Sequence, residues 1–358
     1  MPEPHLEAYP RISVVAPARD EADTIAAAVD TRLKDDYPDL EIVLVDDRSS
    51  DGTSEIVDKI AASDPRVKAV HIREIPEGWI GKQNAMQRGA ETAKGDWLLF
   101  SDADIYFRPG ALRRAIAFCQ EGNRDHLAVA PQCYPAGFLI DAGVAMILRM
   151  ISFSGRLWAV PDERSDAAIG SGAFNLVRRS AFEKAGGFEW LKLEVADDVA
   201  LGRRLKQTGA RSAVAQGRGW VGVHFYTDIG TMIRACERAG YTTFANFKVW
   251  RAVLSSLAFL ALEMAPFFAL LPLGIPYLFY AGLLMLLFAL ASLALISWWC
   301  RHPLLPTLLW PVGTLTTAIL LIRAAIVGKR RGGIYWRGTF YPTKLLKEGR
   351  RLDFKGKL

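Results

Sequence analysis

The sequence holds only four cysteines in 358 residues, and Cys119, Cys133, Cys236 and Cys300 show no paired or metal-like spacing. That argues against a disulfide scaffold and against a cysteine zinc site. An apolar leader is also missing. The N-terminus is polar and carries Pro2 and Pro4, so no signal peptide is read there and the soluble part is expected to stay in the cytoplasm. The first 250 residues lack a basic patch. From Gly328 onward there are ten Lys/Arg against two Asp/Glu, or +8, while the whole chain is +6, so everything before the tail sums to −2. The positive charge belongs to the tail. Following a hydrophobic region, it points to anionic lipid headgroups at a cytoplasmic face rather than to nucleic acid. Charge is scarce between residues 252 and 327, where only Glu263, Arg301 and Arg323 interrupt an apolar run.

Three segments in that run, 252–273, 275–299 and 304–327, are each close to the roughly 20 residues that span a bilayer. Pro272, Gly274 and Pro276 mark a turn between the first two. The expected layout is a soluble domain over 1–250, a membrane region of two to three segments over 251–328 and a basic cytoplasmic tail over 329–358. A cytoplasmic domain and a cytoplasmic tail require an even number of crossings, whereas three segments are read. Glu263 marks the first as the odd one out. Residues 137–160 are apolar but carry Asp141, Arg149 and Arg156. They read as an amphipathic helix, either packed on the sheet or lying at a membrane surface.

The first half alternates apolar runs with amphipathic stretches. Strands are expected at 11–17, 41–47, 66–72, 96–102 and 126–134, with helices at 21–33, 53–62 and 83–93 and after Pro109. This pattern predicts an α/β fold, a mostly parallel sheet with helices on both faces, followed by C-terminal transmembrane helices. Ligands of such sheets bind beyond the carboxyl ends of the strands. The polar residues gather there: Arg19-Asp20-Glu21, Asp46-Asp47, then Asp102 and Asp104.

In "LVDDRSSDGT" (44–53), Asp47 leaves the second strand ahead of a turn rich in hydrogen-bonding groups, with Thr53 suited to cap the next helix. A carboxylate there accepts well from the N–H of a nucleotide base; an ordinary turn is the plain alternative. In "SDADI" (101–105), Asp102 and Asp104 share a face if the segment is extended. Together they suit one hard divalent cation, Mg2+ or Mn2+, that bridges to phosphate oxygens. In "GWIGKQNA" (78–85), Lys82 stands just ahead of a helix whose positive N-terminus favours a diphosphate. Asp197 and Asp198 open the helical stretch "ADDVALGRRLKQTG". Carboxylates are favoured in a first turn in any case; the functional reading is a general base. Glycines in "GSGAFN" permit close approach of backbone to a ligand. His224, beside aromatics, reads as structural first and as a metal or phosphate contact second.

Taken in order, "VVAPARDEADTI", "VDDRSSDGT", "GWIGKQNA", "GDWLLFSDADI", "GAFNLVRRSAFEKAGGF" and "ADDVALGRRLKQTG" resemble the family 2 glycosyltransferases, whose fold is GT-A (Rossmann-like). The GW-x-GK element and the trailing apolar segments resemble the hopene-associated and carotenoid-type branch, whose acceptors are lipids. The resemblance implies that Pro17, Glu21 and Asp47 border the nucleotide, and Arg19 is grouped with them. It implies that Asp102 contacts ribose or metal, that Asp104 ligates the metal and that Asp198 is the base. The family's Glu-Asp pair is Asp197-Asp198 here. The Q-x-x-R-W motif of processive members is absent, which favours a single transfer. The expectation is an inverting, metal-dependent transfer of one sugar from a UDP- or GDP-sugar to a lipid or polyprenyl phosphate at the inner membrane's cytoplasmic face. A nucleotidyltransferase would need a Gly-rich basic loop after the first strand, where "PARDEAD" is acidic. A non-catalytic, membrane-anchored nucleotide-sugar-binding protein is the rival outside enzymology.

Overall fold

The computed structural model describes residues 6 and 8–351. Strands β1 (Ile12–Ala18) and β2 (Leu40–Asp47) are buried along their whole length, as continuous apolar runs require when helices cover both faces of a parallel sheet. With β3 (Val67–Ile72) and β4 (Trp97–Phe100) they form one half of a seven-stranded sheet. The chain continues through two-residue β5 (Tyr106–Phe107), β6 (His126–Ala130), two-residue β7 (Gln132–Cys133), β8 (Asn175–Arg178), β9 (Ser212–Gln216) and β10 (Val221–Val223). The sheet order is β3-β2-β1-β4-β8-β6-β9. All its pairings are parallel except those of β8, which runs antiparallel to both β4 and β6.

The intervening helices are α1 (Ile25–Leu33), α2 (Thr53–Ser63), α3 (Gly81–Thr92), α4 (Ala111–Glu121), α5 (Phe138–Ser154), α6 (Arg179–Ala185) and α7 (Asp197–Gln207). The core between α3, α6, α7 and the sheet holds Val15, Val45, Met86, Phe100, Phe182, Phe188 and Leu201. Phe100 meets the edge of Phe188 with ring centroids 4.9 Å apart.

Local chemistry moves some boundaries. The first helix begins at Ile25, because residues 19–22 bond across to the loop after β2 instead. Thr53 does not cap α2. The cap position is Gly52, at φ +91°, and the Asp51 carboxylate accepts from the Thr53 amide. Gly81 and Lys82 are the first two residues of α3 rather than its approach. The run expected at 126–134 is two strands, β6 and β7.

By its internal contacts the chain divides into two units. One draws on residues 1–132, 155–223 and 345–358, the other on 133–154 and 224–344. The second unit contains α5, α8 (Ile229–Ala239), α9 (Val249–Ala269), α10 (Pro276–Cys300), the short α11 (Leu304–Leu308), α12 (Trp310–Arg331) and a hairpin of β11 (Gly333–Trp336) and β12 (Thr339–Pro342). Among the described residues four helices, at Phe138–Ala159, Val249–Ala269, Pro276–Cys300 and Trp310–Arg331, are long and apolar enough to cross a membrane. The basic Lys329, Arg330 and Arg331 are the last turn of α12, and Arg331 pairs with Glu237 of α8 at 3.0 Å. Glu263 is buried and paired with Arg149 of α5, whose Nε donates to Ser292 Oγ of α10 at 3.1 Å. The charge that singled out α9 is neutralised inside the bundle.

Candidate active site

Register sets the site. Val15 of β1 pairs with Val43 of β2 and with Phe100 of β4, so the carboxyl ends of three parallel strands lie along one edge. The loops leaving β1 and β2 are laced there. Arg19 Nη1 donates to the Asp47 carbonyl at 3.1 Å, and the amides of Glu21 and Ala22 donate to Thr53 Oγ1 and Asp51 Oδ2 at 2.8 and 3.0 Å. The Asp20 carboxylate accepts from the Ser50 amide at 2.8 Å. Asp20 and Arg48 hold left-handed φ of 53° and 59°, a conformation costly for residues other than glycine and retained where surroundings fix it. Pro17 is buried in β1, and the buried Asp47 carboxylate takes Arg48 Nε at 2.8 Å. Pro17, Arg19, Glu21 and Asp47 are thus brought to one edge. Gly81 joins them to the rest: a Cβ there would lie 2.5 Å from Asp47 Oδ2.

The second group is a ring of carboxylates around one lysine. After β4 the chain alternates in burial: Ser101, Ala103 and Ile105 are buried, while Asp102 and Asp104 are half-exposed. The two aspartates therefore share a face although the segment is a turn rather than a strand. Lys82 Nζ lies 2.9 Å from Asp102 Oδ1 and 3.5 Å from Asp197 Oδ2. Because β8 is antiparallel to β4, the residues leading into it reach the same edge. The Gly172 carbonyl accepts from the Asp102 amide at 2.8 Å, and the Gly172 amide donates to Asp198 Oδ2 at 3.0 Å. A Cβ on Gly172 would stand 2.7 Å from Asp102 Oδ2. This glycine is needed for closeness to carboxylates.

Asp197 and Asp198 occupy different environments. Asp197 is buried and faces Lys82; Asp198 is half-exposed and Val199 N–H also donates to it at 2.8 Å. Burial, with the neighbouring carboxylates adding to it and Lys82 opposing it, holds both above the usual carboxylate range. Burial lowers the Lys82 ammonium, but Asp102, Asp197 and Asp198 outweigh it and raise it above the ordinary lysine value. Lys82 is therefore held as a cation, and both aspartates are held nearer neutrality than free aspartate.

Two roles lay outside the sequence reading. Gly172 was expected to permit close approach of backbone to a ligand, not to link Asp102 with Asp198. Arg32 was not noticed at all, although it occupies the i+7 position of the apolar stripe Ile25, Ala28, Val29 in α1 and is fully buried. A charged residue on a core stripe was the available signal. His224 belongs to the second unit, is exposed and packs on Tyr134 at 5.0 Å between ring centroids.

Among the described residues no three His, Cys, Asp or Glu side chains form a metal cage. Mg2+ and Mn2+ commonly bind through one or two carboxylates, taking other oxygens from water and substrate phosphates. Asp102 and Asp104 fit that chemistry. Asp102 Oδ1 is buried without a hydrogen bond and faces the Lys82 ammonium at 2.9 Å. The pair suits a cation arriving with a diphosphate.

Comparison with known proteins bears on the family and the fold. Residues 13–186 match the model of the family described as glycosyl transferase family 2. The succinoglycan biosynthesis protein ExoO of Rhizobium meliloti is 35% identical over 116 residues, covering 32% of each chain. The GalNAc(5)-diNAcBac-PP-undecaprenol beta-1,3-glucosyltransferase of Campylobacter jejuni is 30% identical over 113 residues, 32% of this chain and 36% of its own. The match spans about a third of the length of these curated relatives. In fold, the mannosyltransferase PcManGT of Pyrobaculum calidifontis, solved with GDP-Man and Mn2+, superposes with a TM-score of 0.55 at 21% identity, covering 90% of this chain and 88% of that one. The sheet is that of the GT-A fold, and residues 13–186 are a glycosyl transferase family 2 domain.

Proposed function

We propose that this protein is an inverting glycosyltransferase that moves one sugar from a UDP- or GDP-sugar to a lipid hydroxyl or polyprenyl phosphate at the cytoplasmic face of the inner membrane. The observation that carries the reading is the ring of Asp102, Asp197 and Asp198 around Lys82, with Asp104 beside it, at the carboxyl edge of the sheet. Pro17, Arg19, Glu21 and Asp47 border the nucleotide, Asp47 toward the base. Asp104, with Asp102, holds Mg2+ or Mn2+ when the donor is present; the ion supplies neutralisation of the leaving diphosphate. Lys82 adds a fixed positive charge to the same oxygens. Asp198, the more exposed of the two helix-opening aspartates, removes the proton of an acceptor hydroxyl, while Asp197 holds Lys82 in place. A relative named for an undecaprenol-linked glycan supports a lipid-linked acceptor, and a fold neighbour holding GDP-Man and Mn2+ supports the donor and metal.

The chain's path supports a membrane topology as part of this reading. It leaves the sheet unit after residue 132 and has rejoined it by 155. It leaves again after 223 and rejoins at 345. There the Arg351 amide donates to Glu194 Oε2 at 2.8 Å and Gly349 packs on Leu193. A chain returning to the same folded unit crosses a bilayer an even number of times. Alone on its excursion, α5 makes no crossing, and two of α9, α10 and α12 make theirs. Helices α9 and α10 are only 28% and 22% buried in their apolar windows, against 50% for α5 and α12, so α9 and α10 form the spanning hairpin with Gly274 at the far side.

Incubating membranes with UDP-glucose, UDP-GlcNAc, UDP-galactose or GDP-mannose and total lipid extract should yield one glycolipid carrying a single added sugar by mass spectrometry. Donor hydrolysis without a lipid product for every donor would count against the acceptor class. For the topology, a Gly274→Cys variant should react with an impermeant maleimide from the periplasmic side. Reaction from the cytoplasmic side alone would remove the hairpin.

A further inference from the structure

The turn carrying Asp102 and Asp104 rests on a buried cation. Arg32 is fully buried at the end of α1 and has no carboxylate within ion-pair distance among the described pairs. Its Nη2 donates to the Asp102 carbonyl at 2.5 Å and lies 3.3 Å from the Ile105 carbonyl and 3.4 Å from Ser101 Oγ. Its guanidinium carbon stands 5.3 Å from the Phe107 ring centre. Nε and Nη1 are buried without a hydrogen bond. A buried guanidinium without a paired carboxylate is costly, and a Leu or Met would fill the stripe position without that cost.

The neighbours of Arg32 act on the same segment. Thr31 Oγ1 accepts from the Phe107 amide at 3.0 Å, and Asp35 Oδ2 accepts from the Leu112 amide at 3.3 Å. Within "TRLKD" (31–35), three side chains thus hold the backbone from Asp102 to Leu112. The other groups facing the turn are Lys82 beside Asp102 and the Gly172 backbone.

We infer that Arg32 is a positioning residue for the donor site: its Nη2 group fixes the main chain of the Asp102-x-Asp104 turn so that both carboxylates face one cation. The inference rests on reading those two aspartates as metal ligands. The contacts converge on Nη2, which sits among the Asp102 and Ile105 carbonyls and Ser101 Oγ while the guanidinium lies against the Phe107 ring. Two roles for Arg32 have opposite signs. Were it only a nearby positive charge, removing it would strengthen Mn2+ binding by relieving repulsion. As a clamp, its removal lets the turn relax and weakens binding.

The test is Mn2+ titration of the full-length protein in detergent, followed by electron paramagnetic resonance, with Mn2+ alone and with added GDP or UDP. Arg32→Met should weaken Mn2+ binding at least about tenfold, in the range typical of groups that orient metal ligands, and raise the KM for Mn2+ and donor more than it lowers kcat. Arg32→Lys should recover part of the loss. Unchanged or tighter binding in a folded Arg32→Met protein overturns the inference. If Arg32→Met does not fold, Arg32→Lys decides: weakened Mn2+ binding supports the clamp, wild-type binding overturns it. If neither folds, Arg32 serves the fold and the assignment falls. Wild-type protein that binds no Mn2+ removes the metal reading and this inference together, whereas normal wild-type binding with an indifferent Arg32→Met removes this inference alone.

Discussion

The two units bury charge in opposite ways. In the helical unit, Arg149 meets Glu263 and Ser292, one cation against one anion with a hydroxyl on a remaining donor. In the sheet unit, Asp102, Asp197 and Asp198 crowd Lys82, and buried oxygens of Asp102 and Asp197 have no hydrogen bond. The first arrangement is closed and needs nothing more. The second has more acidic groups than cations, an imbalance that the proposed divalent cation would offset. Charge balance, more than burial, separates a group that holds a fold from one that binds or reacts.

Breaking the open cluster should have the largest effect. Asp198→Asn should lower transfer to a hydroxyl acceptor by about 10²–10⁴ while leaving donor affinity near wild type, as read from kcat and KM. Full turnover with a hydroxyl acceptor would remove the base assignment. Breaking the closed pair should cost stability and little activity per folded molecule. Glu263→Leu leaves Arg149 buried alone and should destabilise by about 3–5 kcal/mol, read as a lowered unfolding temperature in detergent. Adding Arg149→Met should restore most of it. A double variant as unstable as the single one would show that the pair is not closed in the sense drawn here.

The sheet unit also holds a buried acid, Asp35, that is in no ion pair among the described residues, and it should give the smallest effect. Burial pushes the Asp35 carboxyl up to about 6, against backbone N–H groups that pull it down, and its Oδ1 has no hydrogen bond. The folded state therefore holds the proton more tightly than the unfolded state. This contribution is fully present below the unfolded value near 3.8 and is lost as pH rises to about 6. The loss is at most about 3 kcal/mol. Asp35→Asn should flatten the stability curve between pH 4 and 6. An unchanged slope would place the titration elsewhere.

Much of this was legible in the residues. Runs such as "RISVVAP" and "EIVLVDD" are apolar on both faces, so they read as central parallel strands, and the acids after them gather at the carboxyl ends of those strands as expected. The i, i+2 spacing of Asp102 and Asp104 gave a shared face even though the segment proved to be a turn. Three features were not readable because they depend on distant partners. The reversal of β8 brings Gly172 between Asp102 and Asp198. The unequal burial of Asp197 and Asp198 depends on where Lys82 sits. Arg32 acts on a loop seventy residues away. The partner of Glu263 was hidden in the same way, since a glutamate in an apolar helix looks unpaired until Arg149 is placed beside it.

The most direct test of the open cluster is nucleoside diphosphate release and glycolipid formation by the membrane-embedded protein, measured across a Mn2+ titration after EDTA treatment, for wild type and Asp104→Ala. The carboxylate cluster as a donor site predicts that EDTA abolishes both products, that Mn2+ restores them in the wild type, and that Asp104→Ala stays about 10²–10³ lower at every concentration. Wild-type turnover that survives EDTA, or Asp104→Ala turnover that matches it, would contradict that reading.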